Sequence, residues 1–326
     1  MNEFDIIQRF FANKITLQHD HVVIGSGDDC AVISLPGNFQ MCVSTDTFVE
    51  GIHFPIAANS ELIAARLMAA NLSDLAAMGA QPHSFTLAIT SPEFTETWLQ
   101  GFSDELNTWV EEYQIPLVGG NLSKGPLSLT VNIMGMLPCH SAILRSGGHI
   151  DDDIYISGHI GDAAGGLALL AQNSIREGAT KKSTIEKQRP LLGRYAKPRP
   201  RIELGIALRE IASSAIDISD GFAADLKHLC QASDCGALVS LEDLPLSSIL
   251  IKTFGLEVAR GKAVQGGDDY ELCFTCPKAY ADKVQELSLS LGLKLTKVGS
   301  LCSGSDVQIT DKQGRLYKET EGYQHF

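Results

Sequence analysis

Residues 71–80 read Asn71-Leu-Ser-Asp-Leu-Ala-Ala-Met-Gly-Ala80 and end a segment rich in Ala and Leu. The segment predicts a helix that Ser60 caps and that ends at Gly79. Asp74 stands among apolar residues on this helix, where an isolated ionised carboxylate is costly. We therefore expect a buried helix that carries a charged site, and the search for its partners extends outward from here.

Segments with strand and helix patterns alternate on both sides of this helix. Ser91-Pro92 predicts the start of a second helix, whose apolar stripe runs from Trp98 to Tyr113. The basic residues 176–201 contain Pro and predict an exposed connection, or a lid over a phosphate site. The alternation indicates an α/β or α+β protein.

The length of 326 residues suits two domains of ordinary size. A Gly- and Asp-rich stretch at 138–153 predicts the boundary, giving domains of residues 1–140 and 141–326.

Composition narrows the class of function. The chain has 26 Lys and Arg against 39 Asp and Glu, a formal net charge of −13, so we expect no nucleic-acid partner. We also expect no membrane span, because no apolar run approaches about 18–20 residues. The acidic start is unlike a signal peptide, and eight cysteines scattered through apolar segments indicate buried thiols in the cytoplasm.

Several aspartates lie in apolar surroundings where basic residues are sparse, and Arg66 is the one basic residue close in sequence to them. These aspartates are Asp28, Asp29, Asp46, Asp74, Asp217 and Asp220. Each alone is well explained as a turn former or a helix cap. Together they predict a shared site for a hard cation, most simply Mg²⁺, to which Ser44 and Thr45 could add oxygen ligands.

Magnesium held by carboxylates indicates a phosphorylated ligand. Gly119-Gly120 follows a predicted strand and could let the backbone approach a phosphate, with Lys124 and Arg145 as further partners. The sequence contains no Walker A motif and no protein-kinase signature. A nucleotide enzyme with this sequence would therefore belong to another lineage.

Nine short motifs follow one another along nearly the whole chain. They are Gly25-Ser-Gly-Asp-Asp-Cys-Ala31, Ser44-Thr-Asp-Thr47, Gly51-Ile-His-Phe54, Asn71–Ala80, Gly119-Gly120, Leu144-Arg-Ser-Gly147, Ile216-Asp-Ile-Ser-Asp-Gly221, Gly266-Gly-Asp-Asp-Tyr-Glu-Leu-Cys-Phe274 and Gly322-Tyr-Gln-His-Phe326. In this order they resemble the thiamine-monophosphate kinase family of the aminoimidazole-ribonucleotide-synthetase-like superfamily.

The resemblance implies a two-domain fold, in which the N-terminal domain binds ATP and Mg²⁺ and forms the sheet or barrel of a homodimer, followed by a C-terminal α/β domain. It implies direct in-line phosphorylation of thiamine phosphate to thiamine diphosphate by ATP, with several Mg²⁺ ions. The implied metal ligands are Asp29, Ser44, Thr45, Asp46, Asp74, Asn121, Asp217 and Asp220. The implied ATP contacts are Gly120, Asn121, Arg145 and Ser219, and the implied substrate contacts are His53, Asp268 and Tyr323.

Three departures from the family pattern stand out. Asn121 replaces the usual aspartate, so it offers a neutral oxygen and one charge less. Asp268 replaces a common glutamate and reaches one methylene less far, and a Trp usual before the terminal Gly-Tyr is missing at 319–321. Asn121 motivates an alternative function, a catalytically weakened protein that binds nucleotide or thiamine phosphate.

Two further motifs have plainer interpretations. Cys273-x-x-Cys276 could suggest zinc, but a spacing of three on a strand turns the side chains to opposite faces, which favours buried thiols. The run from Gly158 to Gly166 imitates a dinucleotide-binding loop, but it lacks Gly-x-Gly-x-x-Gly and predicts a strand-to-helix turn.

Overall fold

The computed structural model describes residues 22–24, 28–175 and 182–317, with the side chains of all of these except 173–175 and 182–188. Two six-stranded sheets and a set of helices form this part of the chain. The predicted mixed class of α and β structure is confirmed.

The first sheet comes from the N-terminal half. Its strands are β1 (Val22–Ile24), β2 (Ala31–Ser34), β3 (Phe39–Val49), β4 (Gln81–Ser91), β5 (Leu117–Lys124) and β6 (Ser128–Pro138). Their order is β1-β2-β3-β6-β4-β5, and every pair is antiparallel except β4 with β5. Strand β5 therefore forms one edge of this sheet.

The second sheet comes from the C-terminal half. Its strands are β7 (Asp153–Ser157), β8 (Ser214–Asp217), β9 (Gly236–Ser240), β10 (Leu272–Cys276), β11 (Leu295–Cys302) and β12 (Val307–Thr310). Their order is β12-β9-β11-β7-β10-β8, and only β12 with β9 is parallel. Strand β8 forms an edge and ends at Asp217.

Nine α-helices accompany the sheets in the described residues. They are α1 (Ser60–Ala77), α2 (Glu96–Tyr113), α3 (Asp162–Ile175), α4 (Lys182–Ala196), α5 (Ile202–Leu208), α6 (Phe222–Ala232), α7 (Ser248–Phe254), α8 (Leu256–Gln265) and α9 (Ala281–Leu291). None of them is long and apolar enough to cross a membrane.

Helix α1 lies between the two halves of the molecule. It packs on β3 and β6 of the first sheet and also contacts β8 and α5 from the C-terminal half. Nearly every residue of α1 is buried, because its apolar residues surround the helix on all sides. The polar residues of α1 are thereby held at the junction of the halves.

The ends of α1 follow the predicted chemistry with one correction. The cap is Asn59, not Ser60, because the Asn59 side chain accepts the Leu62 N–H at 2.9 Å. Gly79 follows the last turn with a φ of +67°, a backbone conformation that favours glycine, as predicted.

The predicted start of α2 at Ser91-Pro92 is wrong. Ser91 still pairs with β5 as the last residue of β4, and Thr95 caps the helix by accepting the Trp98 N–H at 3.2 Å. The predicted apolar stripe is confirmed, since Phe102, Leu106 and Trp109 are buried.

Residues 182–196 form helix α4, which has a buried side, so the prediction of an exposed connection over 176–201 is wrong for this part. Leu191 and Tyr195 lie four residues apart and are buried, and the helix packs closely on α3 near Gly166. The basic and Pro-containing composition masked this short buried stripe. Residues 176–181 lie outside the described part of the chain, and the lid stays a prediction.

Candidate metal centre

Three aspartates from separate elements meet at the junction of the two halves. Asp29 precedes β2, Asp74 lies on α1, and Asp217 ends β8, and each offers a carboxylate oxygen within 4.8 Å of the others. Asp29 and Asp217 are buried. We call Asp29, Asp74 and Asp217 the acidic cluster.

Strand β3 brings further oxygen atoms to the acidic cluster. Ser44 and Asp46 share one face of this strand with the buried Cys42, and the Ser44 hydroxyl donates to Asp74 at 2.5 Å. Thr45 points to the opposite face, where its hydroxyl accepts from the amide of Asn132 at 2.6 Å. Only the backbone carbonyl of Thr45 could therefore serve as a ligand on the side of Ser44.

The electrostatics of the acidic cluster favour a bound cation. Burial raises the pKa of Asp74 well above its usual value, and the charges of Asp46, Asp217 and Asp29 raise it further. Burial and the charge of Asp29 also raise the pKa of Asp217 well above its usual value. The Ser73 hydroxyl donates to Asp217 at 2.7 Å and lowers this pKa in part. Converging carboxylates without nitrogen or sulfur donors fit a hard ion such as Mg²⁺.

Arg145 supplies a positive charge at one side of the acidic cluster. Its guanidinium donates to both oxygens of Asp29, at 2.7 and 3.1 Å, and its backbone N–H donates to Asp28 at 3.0 Å. Burial, together with the neighbouring Asp29, raises the pKa of Asp28 to about 6. Asp74 and Asp217 accept hydrogen bonds from neutral serine hydroxyls, so Arg145 balances only part of the negative charge of the acidic cluster.

The loop after β8 carries Ser219 and Asp220 beside the acidic cluster. One oxygen of the buried Asp225 accepts the backbone N–H groups of Ser219, Asp220 and Gly221, at 3.1, 3.2 and 3.1 Å. Sequence reasoning missed Asp225. Its signal was an acidic residue among apolar ones in the first turn of a helix, where it can accept amides that the helix leaves unpaired.

Within the described part of the chain, Gly120 and Asn121 lie away from the acidic cluster. They belong to the exposed edge strand β5 and do not follow a strand as a loop, which corrects the prediction for Gly119-Gly120. A Cβ on Gly120 would lie 1.9 Å from the Leu87 carbonyl oxygen, so close strand pairing explains this glycine. Strands β6 and β4 separate β5 from β3, a distance of about 14 Å at the usual strand spacing.

The predicted substrate contacts His53 and Asp268 meet at the buried Arg66. One guanidinium nitrogen of Arg66 donates to the His53 carbonyl at 3.2 Å and to the Asp268 carboxylate at 2.7 Å. The His53 ring stacks on Phe48 and accepts the Val49 N–H. The third predicted contact, Tyr323, lies outside the described residues.

The run from Gly158 to Gly166 forms a strand-to-helix turn, as predicted, because it follows β7 and continues into the first residues of α3. The buried Asp269 accepts the N–H groups of Gly161 and Ala163 there, so a carboxylate of the chain itself occupies this helix start. The eight cysteines are free thiols and six of them are buried, as the interpretation of buried thiols predicts.

Comparison with known proteins agrees with this architecture over almost the whole chain. Residues 27–137 match the family model for the N-terminal domain of AIR synthase related proteins, and residues 150–312 match the model for the C-terminal domain. The thiamine-monophosphate kinase of Escherichia coli strain K12 is 40% identical over 325 residues, covering 99% of this chain and 98% of that protein.

Solved structures show the same relationship. The thiamine-monophosphate kinase of Stenotrophomonas maltophilia superimposes with a TM-score of 0.80 at 39% identity, covering 97% of this chain and 98% of the other. The structure of AaThiL complexed with AMPPCP and TMP superimposes with a TM-score of 0.83 at 28% identity, covering 100% of this chain and 97% of the other. The chain belongs to the thiamine-monophosphate kinase family.

Proposed function

We propose that this protein transfers the terminal phosphoryl group of ATP to thiamine phosphate, giving ADP and thiamine diphosphate, with Mg²⁺ as cofactor. The observation that carries the proposal is the meeting of Asp29, Asp74 and Asp217 from three separate elements. The names of the relatives support the reaction, and the AaThiL complex with AMPPCP and TMP supports the pair of ligands.

The acidic cluster and its neighbours would hold the metal. Asp29, Asp74 and Asp217 would supply carboxylates, Asp46 and Asp220 further ones, and Ser44 and Thr45 neutral oxygens. Bound Mg²⁺ supplies neutralisation of phosphate charge and alignment of phosphate oxygens. The mutual repulsion that raises the pKa of Asp74 and Asp217 supports this assignment, because a divalent cation relieves it.

The chain itself contributes positioning. The acceptor is an anionic phosphate oxygen, so the reaction needs no strong general base, and we propose direct in-line transfer without a phosphoenzyme. Arg145 would donate to ATP phosphates from its place against Asp29, and Ser219 would donate from the loop that Asp225 holds in shape. His53, Asp268 and Tyr323 would contact thiamine phosphate.

We propose further that the active form is a homodimer in which the edge strand β5 is covered by a second copy. All eight residues of β5 are exposed, including the apolar Leu117, Val118 and Leu122. The relative solvent exposure of these three residues is 46%, 61% and 62%. Unpaired edge strands with apolar side chains invite pairing with another chain. Gly120 and Asn121 would then contact ATP bound at the acidic cluster of the other copy, and Asn121 would also offer its side-chain oxygen to the Mg²⁺ held there.

The many buried free thiols support a location in the cytoplasm, where thiols stay reduced.

The deciding experiment measures ADP formation by the purified protein with ATP, with and without thiamine phosphate and Mg²⁺. We expect ADP and thiamine diphosphate in equal amounts, and only when all three are present. Binding of both ligands without turnover would instead favour the weakened binding protein that Asn121 suggests. The Asp243→Asn variant is a matched control, because Asp243 is exposed and follows β9, which three strands separate from β8 and Asp217.

A further inference from the structure

Arg66 is the most deeply buried arginine side chain at the junction of the two halves, with 1% of its surface exposed. Its guanidinium joins three segments that are distant in sequence. One nitrogen donates to the Tyr195 carbonyl on α4 at 2.9 Å, and the other donates to the His53 carbonyl and to Asp268. The guanidinium also stacks on the Tyr195 ring, with 4.0 Å between the guanidinium carbon and the ring centroid.

We propose that Arg66 is a positioning residue for thiamine phosphate, which fixes Asp268 and the His53 loop at a set distance from the acidic cluster. The inference rests on the proposed function and assigns a role to a residue outside the implied ligand set. Arg66 does not itself contact the substrate. Its effect passes through the two groups that it holds.

Asp268 is held in a specific orientation. Its φ of +70° is uncommon for a residue with a side chain, and its N–H donates to the Ser219 carbonyl at 2.8 Å. Its Oδ1 accepts from Arg66 and lies 3.5 Å from the Tyr270 hydroxyl. Among the described residues no donor forms a hydrogen bond with Oδ2, and the side chain is 28% exposed, so this second oxygen is left for a ligand.

The spacing on α1 links this junction to the metal centre. Arg66 precedes Ser73 and Asp74 by seven and eight residues, which places them on one face of the helix two turns apart. Eight residues of helix span about 12 Å. Since α1 is buried along its length, it acts as a rigid spacer between the acidic cluster and Asp268.

The chemistry at the two ends of this spacer matches the two ends of thiamine phosphate. The phosphate group would lie at the acidic cluster. The opposite end of the substrate has a cationic thiazolium and an aminopyrimidine, which suit a carboxylate oxygen with aromatic neighbours such as Tyr270 and His53. Arg66 keeps Oδ1 occupied, so that only Oδ2 is presented to these rings.

The test compares Arg66→Lys, Arg66→Met and Asp268→Asn with wild type by KM for thiamine phosphate, KM for ATP, kcat and Tm. Lysine keeps the charge but not the fork that reaches three acceptors. We expect Arg66→Lys to raise the KM for thiamine phosphate about tenfold or more, as for a lost hydrogen bond to a charged group. The KM for ATP should change by less than about twofold, and Arg66→Met should have the larger effect.

Arg209→Lys is the matched control. Arg209 also ties the end of α1 to α5, by donating to the Gly79 carbonyl at 2.6 Å, but it contacts neither His53 nor Asp268. We expect it to lower Tm while leaving both KM values unchanged. If Arg66→Met does not fold, Arg66→Lys carries the test, because it keeps a positive charge at the buried position while losing the fork that reaches three acceptors.

The double variant Arg66→Lys with Asp268→Asn separates positioning from general damage. If Arg66 acts through Asp268, the double variant raises the KM for thiamine phosphate by much less than the product of the single effects. A wild type without thiamine-phosphate-dependent ADP formation refutes the proposed function. An active wild type whose Arg66 variants shift both KM values equally, or lower only Tm, refutes the positioning role.

Discussion

Replacing Asp217 by Asn should stabilise the protein in the absence of Mg²⁺ and abolish most of its activity in the presence of Mg²⁺. The carboxylates of the acidic cluster lie within 4.8 Å of one another. At an effective dielectric constant of about 20, two unit charges at this distance repel by about 3 kcal/mol. Asp217 takes part in two such pairs, with Asp29 and Asp74.

The full repulsion is an upper bound, because burial and mutual repulsion raise the pKa of Asp74 and Asp217 and so favour their protonated forms, and Arg145 offsets part of the charge of Asp29. We therefore expect a net gain of about 1–3 kcal/mol for Asp217→Asn without metal, which corresponds to about 1–2 °C in Tm per kcal/mol for a chain of this length. Asparagine can still accept the hydrogen bond from Ser73, so the local packing is kept.

The assay is thermal unfolding in chelator, and again in rising Mg²⁺ with a non-hydrolysable ATP analogue. Binding to the folded state stabilises it by mass action, so wild type should gain stability with added Mg²⁺ and Asp217→Asn should gain much less. Asp243→Asn changes the net charge equally and should behave as wild type in both conditions. Equal stabilisation of wild type and Asp217→Asn by Mg²⁺ would refute the assignment of Asp217 to the metal.

Three further predictions address the edge strand, the helix start and the departure from the family pattern. Gly120→Ala places a methyl group against the Leu87 carbonyl, so it should lower the free energy of unfolding by about 1–3 kcal/mol and weaken the proposed dimer in sedimentation. Gly119→Ala meets nothing closer than 3.8 Å and should be tolerated. Burial raises the pKa of Asp269 to about 8. Between about pH 4 and 8 the folded state therefore keeps a proton that the unfolded state has released. As the pH rises through this range, Asp269 makes the free energy of unfolding fall by up to about 1.4 kcal/mol per pH unit. In chelator, Asp269→Asn should flatten this fall in urea unfolding measured across pH, and an unchanged slope would contradict the assignment. Asn121→Asp should lower the Mg²⁺ concentration needed for half-maximal ADP formation several-fold, and no change would show that the position is not a ligand.

Sequence reasoning located the acidic cluster because buried carboxylates leave a strong local signal. Asp29, Asp74 and Asp217 each stand among apolar residues, and the cost of burying charge predicts that such residues meet a cation or one another. The Ala- and Leu-rich composition of α1, with apolar residues around Asp74, likewise predicted a buried helix. Both predictions depend on short windows of sequence, in which every contributing residue is visible.

The rest depends on pairings between distant segments. The sequence near Asp225 gives only a weak signal and the sequence near Arg66 does not indicate a positioning role. Both roles arise when distant segments fold against these residues, the loop at 219–221 against Asp225 and the segments at 53, 195 and 268 against Arg66. The helix at 182–196 was hidden by basic residues and Pro190, since its buried stripe consists of few residues. Gly120 was interpreted as a phosphate contact, whereas strand pairing with Leu87 already requires a glycine there.

A crystal structure with Mn²⁺, a non-hydrolysable ATP analogue and thiamine phosphate would test the central claim most directly. Manganese replaces Mg²⁺ at sites with oxygen ligands and is located by its anomalous scattering. We predict anomalous peaks between the carboxylates of Asp29, Asp74 and Asp217, each in contact with phosphate oxygens of the analogue. Peaks elsewhere, or an acidic cluster that contacts only Arg145 and serine hydroxyls while both ligands are bound, would contradict the account.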